Sequence, residues 1–141
     1  MNVRHIMTTK VVSVDADESI GVALQLMHAG NFRRLPVLQD GRLVGIITDR
    51  DLRLATNSPL VLQEKWYSDF IQESVKVKSC MTVDPVTISP DASLIAATRL
   101  MRSRKFGGLP VVEGDNLVGM ITVTDLLDFL LHLLEDKEAT D

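Results

Sequence analysis

Apolar and polar positions along this chain change rhythm in a fixed order, and the order is written twice. Val11 to Val14 forms a short β-branched run. It is followed by Ile20, Ala23, Leu24 and Met27, spaced as one face of an amphipathic helix. Leu35 to Leu38 and Leu43 to Thr48 then predict two strands of a hairpin around Asp40-Gly41, a pair suited to a tight turn with positive φ. A second helix closes the unit. Val86 to Ile88, the stripe Leu94, Ala97 and Met101, a hairpin around Gly114-Asp115-Asn116 and a closing helix repeat the grammar. An offset of 74 carries Met7 to Met81, Phe32 to Phe106, Leu35-Pro36-Val37 to Leu109-Pro110-Val111, and Gly45 to Gly119 without a gap.

A unit of roughly 55 residues buries little apolar surface alone, so two copies are expected to pack together. The predicted fold class is α+β, a tandem repeat of two β-α-β-β-α units packed by pseudo-twofold symmetry. The expected boundaries are repeat one at 1–56, a helical linker at 57–76, repeat two at 77–135 and an acidic tail at 136–141. In the linker, Ser58 is placed to cap a helix, Pro59 suits its first position, and Leu62, Trp66 and Phe70 share one face. That face is expected to pack on the protein's own core or on a dimer mate. The closing helix carries two leucine stripes, Leu126, Leu130, Leu133 and Leu127, Leu131, Leu134. Their combined face is too broad for one small core and predicts a homodimer.

Composition removes several classes of function. With 15 Lys and Arg against 19 Asp and Glu, the net charge of −4 gives no electrostatic footprint for nucleic acid. The single cysteine, Cys80, and the scattered His5, His28 and His132 offer neither an internal disulfide nor metal-ligand spacing. No signal-peptide core and no apolar run long enough to span a bilayer is present, so the expectation is a cytoplasmic protein without a membrane segment. Nor is there a cysteine–histidine pair, serine triad or paired-acid motif to carry catalysis, and the chain does not read as an enzyme.

What remains is the duplicated phrase "GIITDRD" at 45–51 and "GMITVTD" at 119–125. Thr48 and Thr122 stand where a strand gives way to a helix, each with an aspartate three residues on. One reading is a capping box that satisfies the orphan N–H groups of the helix start. The other is a nucleotide site, in which those N–H groups attract phosphate and the carboxylate accepts both ribose hydroxyls. Composition and spacing do not choose between them.

The paired units, the "LPV" strands and the two Gly-apolar-x-Thr-x-x-Asp phrases resemble a tandem of cystathionine-beta-synthase (CBS) domains over nearly the whole chain. The resemblance implies adenosyl ligands in clefts between the two repeats. Asp51 and Asp125 would hold ribose, Thr48 and Thr122 would support it, Ile46 and Met120 would line the base pocket, and Thr124 would donate to phosphate. It also nominates the segments leading into the first strands, often used by the other repeat: Thr8, Lys10, Val11 and Ser13, and correspondingly Thr82, Pro85 and Thr87.

The copies differ before "LPV", where Arg33-Arg34 faces Gly107-Gly108 as its counterpart, and Arg50 has Thr124 as its own. The resemblance places this position near ligand phosphates in some family members, so Arg33, Arg34, Arg50 and Gly108 join the candidate site. The expectation is a stand-alone regulatory module that takes AMP, ADP or ATP as a regulatory ligand, needs no obligatory cofactor or metal, and signals to a partner protein. The alternative is a self-associating scaffold in which the Thr–Asp pairs only cap helices.

Overall fold

The computed structural model describes residues 1–56 and 65–140, the side chains of 65–68 excepted. Its elements run β1 (Val14–Asp15), α1 (Ile20–Gly30), β2 (Arg34–Gln39), β3 (Arg42–Thr48), α2 (Asp49–Thr56), α3 (Lys65–Ser74), β4 (Thr82–Val83), α4 (Leu94–Arg104), β5 (Gly108–Glu113), β6 (Asn116–Thr122) and α5 (Val123–Thr140). Short 3-10 turns stand at Val3–His5 and Val77–Ser79. The α+β class and the two β-α-β-β-α repeats are therefore present. The chain divides into two compact units, Val12–Pro85 and Met1–Val11 together with Val86–Asp141.

Local chemistry explains the helices. Ser19 and Ser93 cap α1 and α4, accepting the N–H of Val22 at 3.4 Å and of Ala96 at 3.0 Å. At the other end the chain turns through left-handed residues, Asn31 at φ 55° and Lys105 at φ 56°. Phe32 and Phe106 then donate back to the carbonyls of Met27 and Met101, which satisfies carbonyls that the last helical turn leaves free. Ile20, Ala23 and Met27 on α1, and Leu94, Ala97 and Met101 on α4, are buried as the stripe predicts, while Leu24 is partly buried against the same core.

In the unit Val12–Pro85 the sheet order is β1-β2-β3-β4, with β1 parallel to β2 and the rest antiparallel. The hairpin turn carries positive φ at Asp40 and Gly41, as expected. The predicted strand Val11–Val14 shrinks to Val14–Asp15, because only there does the segment reach the edge of β2; the Val11 N–H turns back to the Thr9 carbonyl. Likewise Val86–Ile88 reduces to a single bridge between Ile88 and Val111.

Each hairpin is completed by the segment that precedes the other repeat. β4 pairs with β3 through Thr82 and Ile46, and in the other unit Thr8 pairs with Met120. The 74-residue offset of the sequence carries these contacts into one another. Val77 N–H donates to Glu18 as Val3 does to Ala92, and Lys78 N–H donates to Ala16 as Arg4 does to Pro90. Lys78 reaches Asp17 at 2.9 Å, and Arg4 reaches Asp91 at 3.2 Å and Glu113 at 2.8 Å. These ion pairs are solvated and add little. The fully buried Val3 and Val77, and the backbone bonds beside them, hold the segments in place.

The closeness of this pairing fixes Gly45 and Gly119. A β-carbon at Gly45 would stand 2.8 Å from the Thr82 carbonyl oxygen and 2.6 Å from the Met81 sulfur. At Gly119 the corresponding distances are 2.9 Å to Thr8 and 2.8 Å to Met7.

Ser58, Pro59 and Leu62 lie outside the described residues, as does the Trp66 side chain. Ile71 on α3 and Val75 just after it pack on the core, whereas Phe70, expected on the packing face, is 59% exposed. α3 packs against α1, where a β-carbon on Gly21 would stand 3.1 Å from the Gln72 carbonyl oxygen. On α5, Leu126 and Phe129 pack on the core of their unit, while Leu127, Leu130, Leu131, Leu133 and Leu134 remain 48–57% exposed. Among the described residues no helix is long and apolar enough to cross a membrane.

Gly119→Ala is expected to lose about 1–3 kcal/mol of stability, because a carbonyl oxygen, unlike a flexible side chain, cannot step aside without moving its strand. Urea unfolding checks this: an unchanged midpoint would show that the Thr8 strand does not lie against Gly119.

Candidate functional site

The start of α2 is organised by two reciprocal hydrogen bonds. Thr48 N–H donates to Asp51 Oδ2 at 2.9 Å, and Asp51 N–H donates to Thr48 Oγ1 at 3.1 Å. This is a complete capping box with aspartate in the place usually held by Glu or Gln. The start of α5 repeats it: Thr122 N–H donates to Asp125 Oδ2 at 2.8 Å, and Asp125 N–H to Thr122 Oγ1 at 3.3 Å. Two further bonds are made only here. The Thr122 hydroxyl donates to Asp125 Oδ2 at 3.1 Å, and the Thr8 hydroxyl donates to Oδ1 at 3.2 Å.

Sheet register brings further candidates to these helix starts. In the unit Val12–Pro85, Arg34 is the cross-strand partner of Thr48, and Ile46 that of both Pro36 and Thr82. The site there gathers Arg34, Ile46, Thr48, Asp51 and Thr82. In the other unit Gly108 stands opposite Thr122, and Met120 opposite Pro110 and Thr8, so Thr8, Gly108, Met120, Thr122 and Asp125 come together. Arg50 and Thr124 are exposed on the first turns of α2 and α5. Arg33 contributes its carbonyl, which accepts the Asp49 N–H at 2.9 Å; its side chain is exposed. Lys10, Val11, Ser13, Pro85 and Thr87 lie on connecting segments, and no hydrogen bond or strand pairing joins them to either Thr–Asp pair.

The two helix starts differ in charge. Arg34 is half-buried, and burial lowers its pKa, with Asp49 nearby acting in the opposite direction and Arg33 in the same one. A guanidinium remains cationic at neutral pH regardless. Thr122 has only the Gly108 backbone across from it. Near Asp51, burial first and then the carboxylate's own charge raise the pKa of Cys80, so this thiol is a poor nucleophile. Among the described residues no group of His, Cys, Asp and Glu side chains could hold a metal ion.

Met7 and Met81, not among the residues expected at the site, lie against the two motif glycines. Their shared 74-residue offset was the available signal.

The CBS domain family matches the chain twice, over residues 3–57 and 77–132. The chain belongs to the CBS domain family. It is 42% identical over 137 residues to a CBS domain-containing protein of Dictyostelium discoideum, covering 94% of this chain and 93% of that one. Among solved structures it is similar to AcuB of Vibrio cholerae, with TM-score 0.82, 29% identity and coverage of 100% and 98% of the two chains. It is also similar to CBSX2, a CBS-pair protein of Arabidopsis thaliana solved in complex with AMP, with TM-score 0.80, 26% identity and coverage of 94% and 97%. The protein is thus a tandem CBS pair, and each CBS repeat contributes one Thr–Asp helix start.

Proposed function

We propose that this CBS pair is a cytoplasmic regulatory module, not an enzyme, that binds an adenosyl ligand such as AMP, ADP or ATP and signals its presence to a partner protein. The observation that carries the proposal is the duplicated helix start, where a half-buried aspartate is held in place by a threonine N–H at the positive end of the helix. Such a carboxylate suits a ribose diol, and the positive end of the helix suits phosphate. The AMP complex of CBSX2, similar over 94% of this chain, supports the ligand class. In this reading Asp51 and Asp125 hold ribose, Thr48 and Thr122 orient them, Ile46 and Met120 contact the base, and Arg34 attracts phosphate. The exposed leucines of α5 are the surface of a homodimer. A scaffold whose Thr–Asp pairs serve only as caps is favoured by one observation, the completeness of both capping boxes without any ligand.

Titration calorimetry with AMP separates the two. A hydrogen bond to a charged group contributes about 1.5–3 kcal/mol, so Asp51→Ala or Asp125→Ala is expected to weaken its own site roughly ten- to a hundredfold. The same substitutions remove half of a capping box and cost about 0.5–2 kcal/mol of stability, so binding is measured well below the melting temperature. Parent-like AMP binding in both single variants and in the double variant would leave only the caps.

Arg33 and Arg34 give a second test. Each added anionic oxygen strengthens a guanidinium contact, so ATP should bind up to about tenfold better than AMP, and less so as salt rises. In Arg33→Ala/Arg34→Ala the preference is expected to vanish with AMP affinity little changed; a ratio equal to the parent's would make both arginines ordinary surface residues.

For the dimer, Leu130→Glu together with Leu134→Glu is expected to yield monomer or insoluble protein, since two charges would replace apolar contact at its centre. Sedimentation showing that the parent is a monomer across micromolar concentrations would end this assignment.

A further inference from the structure

The two Thr–Asp pairs differ in how much accepting capacity each carboxylate has left. An ionised carboxylate offers about four acceptor positions, two on each oxygen. Asp125 fills three of them, with the Thr122 N–H at 2.8 Å and hydroxyl at 3.1 Å on Oδ2, and the Thr8 hydroxyl at 3.2 Å on Oδ1. Asp51 fills one, with the Thr48 N–H at 2.9 Å on Oδ2, and among the described residues nothing else donates to it. A vicinal diol needs two positions. Asp51 keeps about three open and Asp125 about one.

The contrast does not come from a missing group. Thr82 stands against Ile46 in the same register that sets Thr8 against Met120, yet its hydroxyl makes no bond to Asp51. For Asp125 to accept both hydroxyls of a ribose, one of its present donors has to leave. The Thr122 N–H is fixed by the helix start, and the Thr122 hydroxyl is held in the same turn, where its oxygen also accepts the Asp125 N–H. Thr8 is exposed, its bond is the longest of the three, and its hydroxyl can turn to water while its backbone bonds to Met120, 2.8 and 2.9 Å, stay in place.

We propose that Thr8 is an internal competitor for ribose at Asp125, so that the two sites fill in order, Asp51 first and Asp125 second. This rests on the ribose-holding role of the two aspartates. Occupation of the second site releases the Thr8 side chain and registers on the N-terminal strand. That gives this chain a response to high ligand concentration distinct from its response to low concentration.

Adenosine is the probe, because it lacks the phosphate that Arg34 would attract and so reports on the carboxylates alone. In calorimetry the parent is expected to show two steps, the tighter weakened roughly ten- to a hundredfold by Asp51→Ala and the weaker by Asp125→Ala. With the first site weakened, in Asp51→Ala, adding Thr8→Val is expected to tighten adenosine binding about three- to tenfold, while Thr8→Ser, which keeps the hydroxyl, leaves it unchanged. Binding that is unaltered or weakened by Thr8→Val overturns the competitor role. So does a parent isotherm in which Asp125→Ala weakens the tighter step, a result that does not depend on how well the Thr8 variants fold. Adenosine binding indifferent to both aspartate substitutions is a different result: it removes the ribose assignment itself, and the proposal with it.

Discussion

Two chain segments can run side by side only as closely as their α-carbons allow, and here the carbonyl oxygen of Thr8 lies 2.9 Å from where a β-carbon on residue 119 would stand, too close for one to fit without a shift. The same holds for Thr82 against residue 45. Glycine at these positions lets the hairpin of each repeat accept a short strand from the segment preceding the other repeat. Everything at the helix starts follows from that acceptance. Without the Thr8 strand, Met120 would have no backbone partner on its open edge, and Asp125 would lose its third donor. A sheet edge left bare would also present unpaired N–H and C=O groups to other chains.

The motif glycine therefore acts two steps away from any ligand chemistry. It admits the strand, the strand covers the β3 or β6 edge, and the covered edge delivers Thr48 or Thr122 to the first turn of a helix. There a single, half-buried aspartate caps the helix and keeps acceptor positions on its carboxylate. The cap bond orients the carboxylate before anything binds, so a ligand would not have to freeze a mobile side chain. Arg34 and Gly108 then set the two otherwise similar sites apart, since only one of them has a cation directly across the hairpin from its threonine.

Much of this was legible in the sequence, for physical reasons that differ by element. α1 and α4 declare themselves through eleven residues of helical spacing behind a serine cap, and the hairpins through alternating residues around Asp-Gly and Gly-Asp turns. β1 and β4 are two residues long, too short for any periodicity, and exist only because a neighbouring edge is there to be paired. α3 comes close to Gly21 of α1 at Gln72, a contact between distant residues that no pattern within α3 reports. At the site, the Thr–Asp pairs are local and easily read. The Thr8–Asp125 bond joins residues 117 apart, and spacing alone carries no trace of it. Thr8 was nominated by resemblance to CBS pairs, and the same route nominated Lys10, Val11, Ser13, Pro85 and Thr87, which lie on connecting segments.

Duplication with exchange has a further consequence for how the two sites diverge. Each helix start draws its covering strand from the segment ahead of the opposite repeat, so a change in one leading segment alters the site of the other repeat. Thr8 belongs to the segment preceding repeat one, but its hydroxyl acts on Asp125 in repeat two. The backbone geometry that places Thr8 and Thr82 is the same in both units, and it is fixed by buried valines, main-chain bonds and glycine contacts that tolerate little variation. Side chains on that shared scaffold are far less constrained, because they are solvated and each costs little to replace. Two copies of one fold can thus keep similar frames while a single hydroxyl bond, or an arginine in place of a glycine, makes the two helix starts differ in hydrogen bonding and charge.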